Sequence, residues 1–298
     1  MTTAAAKTTS AQGISEGTPP QVRHDRRVPS LGTVARFLVV LIVAAIIFLP
    51  VYVSFVSAFT PTGEIVRDGL IPHLNHLTLD NFSQATTTIP LLREYLVSVE
   101  VVTLQTVAEI LTGALAAYAL VFPQWRGRRI VFGLVLICLA IPGESIVIPN
   151  YQLVSSIGLR NTILGVVIPF LAAAYPIFLL RQAFLAVPTE IWEAARLDGC
   201  GDIRTLFAVV IPTCRPQVTT AIMWSALAAW NGFFWPLLIT DTAAARTVQV
   251  GISQLASSEV SSPSVIFAGT ALVVTPTVIL VIAAQRYLVN GLSRGVLR

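Results

Sequence analysis

Six stretches of about twenty apolar residues, near 37–59, 96–121, 130–149, 163–185, 217–240 and 264–285, constrain this chain more than anything else in it. A hydrocarbon core of roughly 30 Å is crossed by about 20 residues of helix, whose backbone polar groups are then satisfied internally. Acidic residues are sparse in these windows: Glu100 and Glu109 in the second, Glu144 in the third. Charged residues make up only 11 % of the 298 positions, hydrophobic residues 55 %, and the mean hydropathy is +0.77. The pattern predicts an all-α membrane protein with six spans, and it excludes a soluble enzyme or a disordered regulator.

Orientation follows from the basic residues, which accumulate on cytoplasmic loops. Fifteen of the 19 Lys and Arg lie in the N-terminal tail, after the second span, around and after the fourth, and at the C-terminus; Arg67, Arg93, Arg160 and Arg246 lie on the other side. Both termini are therefore expected in the cytoplasm. Residues 1–36 are expected to be a tail, whose first 28 residues are rich in Ser, Thr, Ala, Gly and Pro without apolar period, and residues 37–298 a single transmembrane domain. The stretch 60–95, with Pro61, Pro72 and Pro90, reads as a small ordered cap on the outer side. Cys138, Cys200 and Cys214 make no metal spacing or disulfide framework, and His73 and His76 lack a third ligand, so no metal site is expected. Lys7 is the only lysine, so the chain has no P-loop with which to hydrolyse a nucleotide.

After the fourth span, where a short polar turn would suffice, residues 187–216 read VPTEIWEAARLDGCGDIRTLFAVVIPTCRP. Pro188-Thr189 suits a helix start, Asp198-Gly199 a stop, and Asp202 the cap of a second helix that Pro212 is expected to end. The spacing of Glu193, Ala194, Ala195, Gly199, Val209, Ile211 and Pro212 resembles the EAA loop of ABC importer permeases, with Val209 and Ile211 as conservative departures. The likeness extends over most of residues 37–298. It is carried also by Gly113 to Leu120, Ile141-Pro142 through Pro149, Gly158-Leu159, Asn161-Thr162, Trp230 to Leu237, and the ending Gln285-Arg286-Tyr287 to Gly291-Leu292.

The chain is thus similar to the second permease subunit of maltose-type carbohydrate importers. This resemblance implies a six-span type I importer domain in the bacterial inner membrane and a coupling loop at Glu193, Ala194, Ala195, Asp198, Gly199, Val209, Ile211 and Pro212. It also implies four partners: a second permease subunit, two copies of an ATPase that binds ATP and magnesium, and an extracytoplasmic substrate-binding protein. No cofactor on this chain and no nucleic-acid partner is expected. The resemblance implies a mono-, di- or oligosaccharide as substrate, with glycerol 3-phosphate or a glycerophosphodiester as the alternative.

An ionisable residue inside a span is a functional candidate. Ser98, Gln105, Glu109 and Thr112 share one helical face, with Glu100 on the opposite one. A proton-coupled secondary transporter using Glu109 is the rival from another class. Glu144, just after Pro142-Gly143, reads either as an acceptor for substrate hydroxyls on a broken span or as an interfacial carboxylate. Asn231, expected to share a helical face with Trp224, Leu227, Phe234 and Trp235, reads either as part of the substrate pathway or as a satisfied amide among packing aromatics.

Overall fold

The computed structural model describes residues 31–68, 76–257 and 262–296, and every regular element among them is helical. His73 and residues 1–30 of the tail lie outside the described residues. The chain divides into two bodies, one ending at Leu49 and one beginning at Pro50. In the first, residues 31–49 are the leading part of helix α1 (Leu31–Phe59), with its large apolar side chains exposed from Phe37 to Leu49. The helix begins at Leu31, before the apolar window itself.

The second body holds the rest of α1, α2 (Thr62–Asp68), α3 (Asp80–Thr88), α4 (Leu91–Val121), α5 (Arg128–Ala140), α6 (Val147–Ser156), α7 (Ile163–Val167) and α8 (Ala174–Leu185). There follow α9 (Thr189–Leu197), α10 (Asp202–Thr205), α11 (Ile211–Thr213), α12 (Arg215–Trp230), α13 (Phe234–Ile239), α14 (Val248–Ser257) and α15 (Pro263–Val296). Among the described residues, two helices are long and apolar enough to cross a bilayer unbroken, Ala35–Phe59 and Leu91–Val121. Three further candidate spans are bent, by 96° between α5 and the Gly143–Ser156 segment, by 48° between Ile163–Phe170 and α8, and by 94° between Asp202–Thr213 and α12. Pro263–Ile279 supplies the remaining apolar stretch.

The breaks have local causes. Pro142 cannot continue the hydrogen-bond ladder of α5, and the chain re-forms as a 3₁₀ turn at Gly143–Ile146 before α6. The 217–240 window is not one helix: α12 stops at Trp230, and Asn231-Gly232-Phe233 separates it from α13. Pro212 does not end a helix as expected. The backbone widens into a π turn at Leu206–Val210, just where the proline ring would otherwise crowd the preceding turn, and helix continues through α11 to a break at Cys214.

Helix α4 is the axis of the second body. Its Gly113, Ala114 and Ala117 let α8 approach closely; a Cβ on Gly113 would stand 3.3 Å from Pro176 and Leu180. Its outward residues, among them Leu92, Leu96, Val99, Leu104, Val107 and Leu111, are exposed, as a lipid-facing stripe requires. Around α4 the loops sort to two ends. At one end the Asn161 side-chain carbonyl, on a residue with φ of 58°, accepts from the backbone N–H groups of Asp241 and Thr242 at 3.0 Å. There too Arg160 pairs with Asp241 at 2.9 Å, Arg93 donates to the Ala244 carbonyl, and Arg246 lies 3.6 Å from the fully buried Glu94. At the other end, Tyr118 of α4 and Phe122 just after it meet Phe184, Trp192 and Asp202. Three of the four arginines assigned to the outer side by charge counting thus fall at one end, and the 187–216 loop at the other.

Candidate substrate cavity and coupling loop

Between the two ends, a cavity of about 380 Å³ opens where α5 and α12 break. The unbroken α4 supplies Gln105 and Glu109, the turn after Pro142 supplies Glu144, the first turn of α8 supplies Tyr175, and α12 and α13 supply Trp224, Phe234 and Trp235. The expected polar face of α4 is realised: Ser98, Gln105 and Glu109 are buried, and Glu100 is exposed. Gln105, one turn back on α4, donates from Nε2 to Glu109 Oε1 at 2.8 Å. This leaves Glu109 oriented by a neighbour on its own helix.

The aromatic walls are fixed separately. Tyr175 and Trp224 pack with ring centroids 4.7 Å apart. Trp235 is buried, its indole N–H donating to the carbonyls of Gly165 and Val166 at 3.3 and 3.1 Å, and it borders the cavity. Of the five pathway residues read from sequence, Glu109, Glu144, Phe234 and Trp235 line one cavity. Asn231 does not line it. As the C-cap of α12 it keeps its N–H bond to the Leu227 carbonyl, and its Nδ2 donates to the same oxygen at 2.8 Å, so the amide is satisfied; the break that follows takes Phe234 and Trp235 off its helical face. Tyr175 was not singled out from sequence. Its signal is the Ala172-Ala173-Ala174-Tyr175-Pro176 run, small residues before a proline, which marks the hinge that aims it inward.

The loop at the other end is two helices joined by a tight turn. Gly199 has φ of +81°, its N–H bonds the Arg196 carbonyl and the Cys200 N–H bonds the Ala195 carbonyl, a Schellman closure of α9. Ala195 is buried, while Glu193, Ala194, Asp198 and Gly199 are exposed. Val209, Ile211 and Pro212 are half-buried, and Ile211 packs on the cluster of Tyr118, Phe184, Leu206 and Val210, so this arm anchors the loop. Asp202 does not cap its own helix: its carboxylate accepts from Tyr118 and Arg196 instead. The loop also carries apolar residues without cover that the motif does not specify, Leu197 at 89 % and Ile203 at 62 % exposure. An apolar residue on either side of Asp198-Gly199 was the available signal.

A helical membrane bundle with a part-polar cavity between its ends, and a two-helix loop presenting apolar side chains at one end, defines a subunit of a membrane transporter. The chain belongs to the family of binding-protein-dependent transport system inner membrane components, whose pattern it matches over residues 109–294. It is 32 % identical to the arabinooligosaccharides transport system permease protein AraQ of Halalkalibacterium halodurans, over 85 % of this chain and 92 % of the relative. It is 28 % identical to the sn-glycerol-3-phosphate transport system permease protein UgpE of Agrobacterium fabrum, over 89 % and 96 %. Its fold is that of a chain in a bacterial ABC transporter involved in the import of the acidic polysaccharide alginate, with a TM-score of 0.77 at 22 % identity, covering 91 % of this chain and 99 % of that one.

Proposed function

We propose that this chain is a permease subunit of an ATP-driven importer and forms half of the pathway for a neutral mono-, di- or oligosaccharide. The observation that carries the substrate class is the cavity: Glu109 and Glu144 stand beside Tyr175, Trp224, Phe234 and Trp235, and its lining holds no Arg or Lys. Carboxylates accept hydrogen bonds from sugar hydroxyls, and aromatic faces pack on the apolar faces of sugar rings. The same carboxylates repel a phosphate, which is recognised by Arg forks or backbone N–H groups. Glycerol 3-phosphate, carried by the UgpE relatives, is therefore the second reading.

In this reading the chain lies in the bacterial inner membrane with the loop end and both termini in the cytoplasm. A second permease chain completes the pathway, and a binding protein delivers substrate on the outer side. Two ATPase copies hold ATP and magnesium, and one of them receives the loop, with Leu197, Ile203, Glu193, Ala194 and Asp198 as the surface that docks. This chain needs no cofactor of its own.

The test is uptake by the complex purified with its co-assembling subunits and reconstituted in proteoliposomes. ATP-dependent accumulation of neutral oligosaccharide is expected, and preference for glycerol 3-phosphate would overturn the substrate class. Glu109→Gln keeps the shape and the bond to Gln105, so ATP-driven uptake should stay within a few-fold of the parent. Near-complete loss, together with uptake driven by a pH gradient alone, would make the chain a proton-coupled carrier.

A further inference from the structure

Movement of the loop must reach the cavity to be felt there, and one cluster of side chains joins the two. The Tyr118 hydroxyl, on α4 and buried, accepts from Trp192 Nε1 at 2.9 Å and donates to Asp202 Oδ1 at 3.1 Å. Asp202 Oδ1 also accepts from Arg196 at 2.9 Å. Trp192 stacks on Phe122, with centroids 5.8 Å apart and planes inclined by 15°, and the Arg196 guanidinium lies over the Trp192 ring at 5.9 Å from its centroid. One hydroxyl of α4 therefore holds both helices of the loop, α9 through Trp192 and α10 through Asp202. The Schellman turn at Gly199 fixes the two helices to each other, so the unit has little freedom to slide on α4.

Helix α4 runs unbroken from this cluster to the cavity. Glu109 is nine residues before Tyr118, about 13 Å along the axis at 1.5 Å per residue. Neither proline nor π turn interrupts that length, whereas the other cavity walls meet hinges. We propose that Tyr118, clamped between Trp192 and Asp202, is the latch through which displacement of the coupling loop moves α4 and with it Glu109 and Gln105. Tyr118, Trp192 and Asp202 are positioning residues in this scheme, and the inference rests on the loop being the part that docks on the ATPase.

The experiment uses the full complex in proteoliposomes and reads substrate accumulated per ATP hydrolysed. Tyr118→Phe removes the hydroxyl and keeps the ring packing; Trp192→Phe removes the indole donor and keeps a ring against Phe122. Each is expected to retain assembly with the ATPase and binding-protein-stimulated hydrolysis, and to lower uptake per ATP about tenfold. The double variant should be no worse than the more impaired single one, because both break one unit. A parental ratio in the variants would overturn the latch. Proportional loss of hydrolysis and uptake, or loss of assembly, would also overturn it, since the cluster would then serve packing alone. Failure of the reading beneath it is distinguishable: the parent itself would show no ATP-dependent uptake.

Discussion

Gly199→Val in the assembled complex is expected to reduce ATP-driven uptake at least tenfold while leaving membrane insertion unchanged. Gly199 has φ of +81° and lies outside the apolar spans. A Cβ built there meets nothing within 4 Å, so the substitution causes no clash. The cost is in the backbone: a β-branched residue held in the left-handed region is strained by roughly 1 to 3 kcal/mol, and each 1.4 kcal/mol is about tenfold in an equilibrium. Relaxing that strain opens the Schellman turn between Arg196 and Cys200, and with it the relation of Arg196 to Asp202. The controls separate conformation from contact. Gly199→Asn, which tolerates the left-handed region, should keep most of the uptake, and Gly199→Ala should fall between. Glu193→Lys, on the exposed face of α9, should instead weaken co-purification of the ATPase. Normal uptake in Gly199→Val, or equal damage from Asn and Val, would remove the turn from the coupling mechanism.

What was legible in the sequence divides along physical lines. The polar face of α4 could be read because the helix is unbroken over 31 residues, so the 3.6-residue period holds from Ser98 to Thr112. The Schellman glycine could be read because few residue types adopt its φ. Asn231 was legible only in part: its amide is satisfied within α12, as one of its two readings has it, but a hydropathy window averages across Asn231-Gly232-Phe233 and carries a single helical phase on to Phe234 and Trp235 through a break that the apolar flanks conceal. Pro212 misled in the opposite direction. A proline normally stops a helix, but the π turn at Leu206–Val210 makes room for the ring, and no local residue announces a π turn. The Tyr118–Asp202 latch was out of reach for another reason: its residues are 84 apart in sequence, and Asp202 is equally apt as a local cap.

The largest effect on the fold itself is expected at Gly165, where alanine should strip stability from the wall of the cavity that Trp235 forms. A Cβ on Gly165 would stand 2.0 Å from the Leu159 carbonyl oxygen and 3.3 Å from Val154 Cγ1. The obstacle is backbone, and that backbone is held on both sides. The Leu159 N–H bonds the Val154 carbonyl, Gly158 turns at φ of +74°, and Asn161 is tied to the backbone of Ile239, Asp241 and Thr242. Gly165 itself donates its N–H to the Thr162 cap at 3.0 Å and accepts from the Trp235 indole, so it cannot retreat without releasing a cavity wall. Overpacking a close-packed site costs 1 to 3 kcal/mol when side chains can yield, and more than about 3 kcal/mol is expected where backbone must move. Gly165→Ala should therefore lower the thermal midpoint of the detergent-solubilised protein by about 10 °C and reduce uptake with it. Gly133→Ala is the matched control: Gly133 lies inside α5, its added Cβ meets nothing within 4 Å, and alanine is the better helix former by about 0.5 to 1 kcal/mol. That variant should melt no lower than the parent. Equal midpoints for the two variants would mean that the Gly158–Thr162 turn yields to the methyl group, and the clamp that holds Trp235 against the cavity would lose its claim to rigidity.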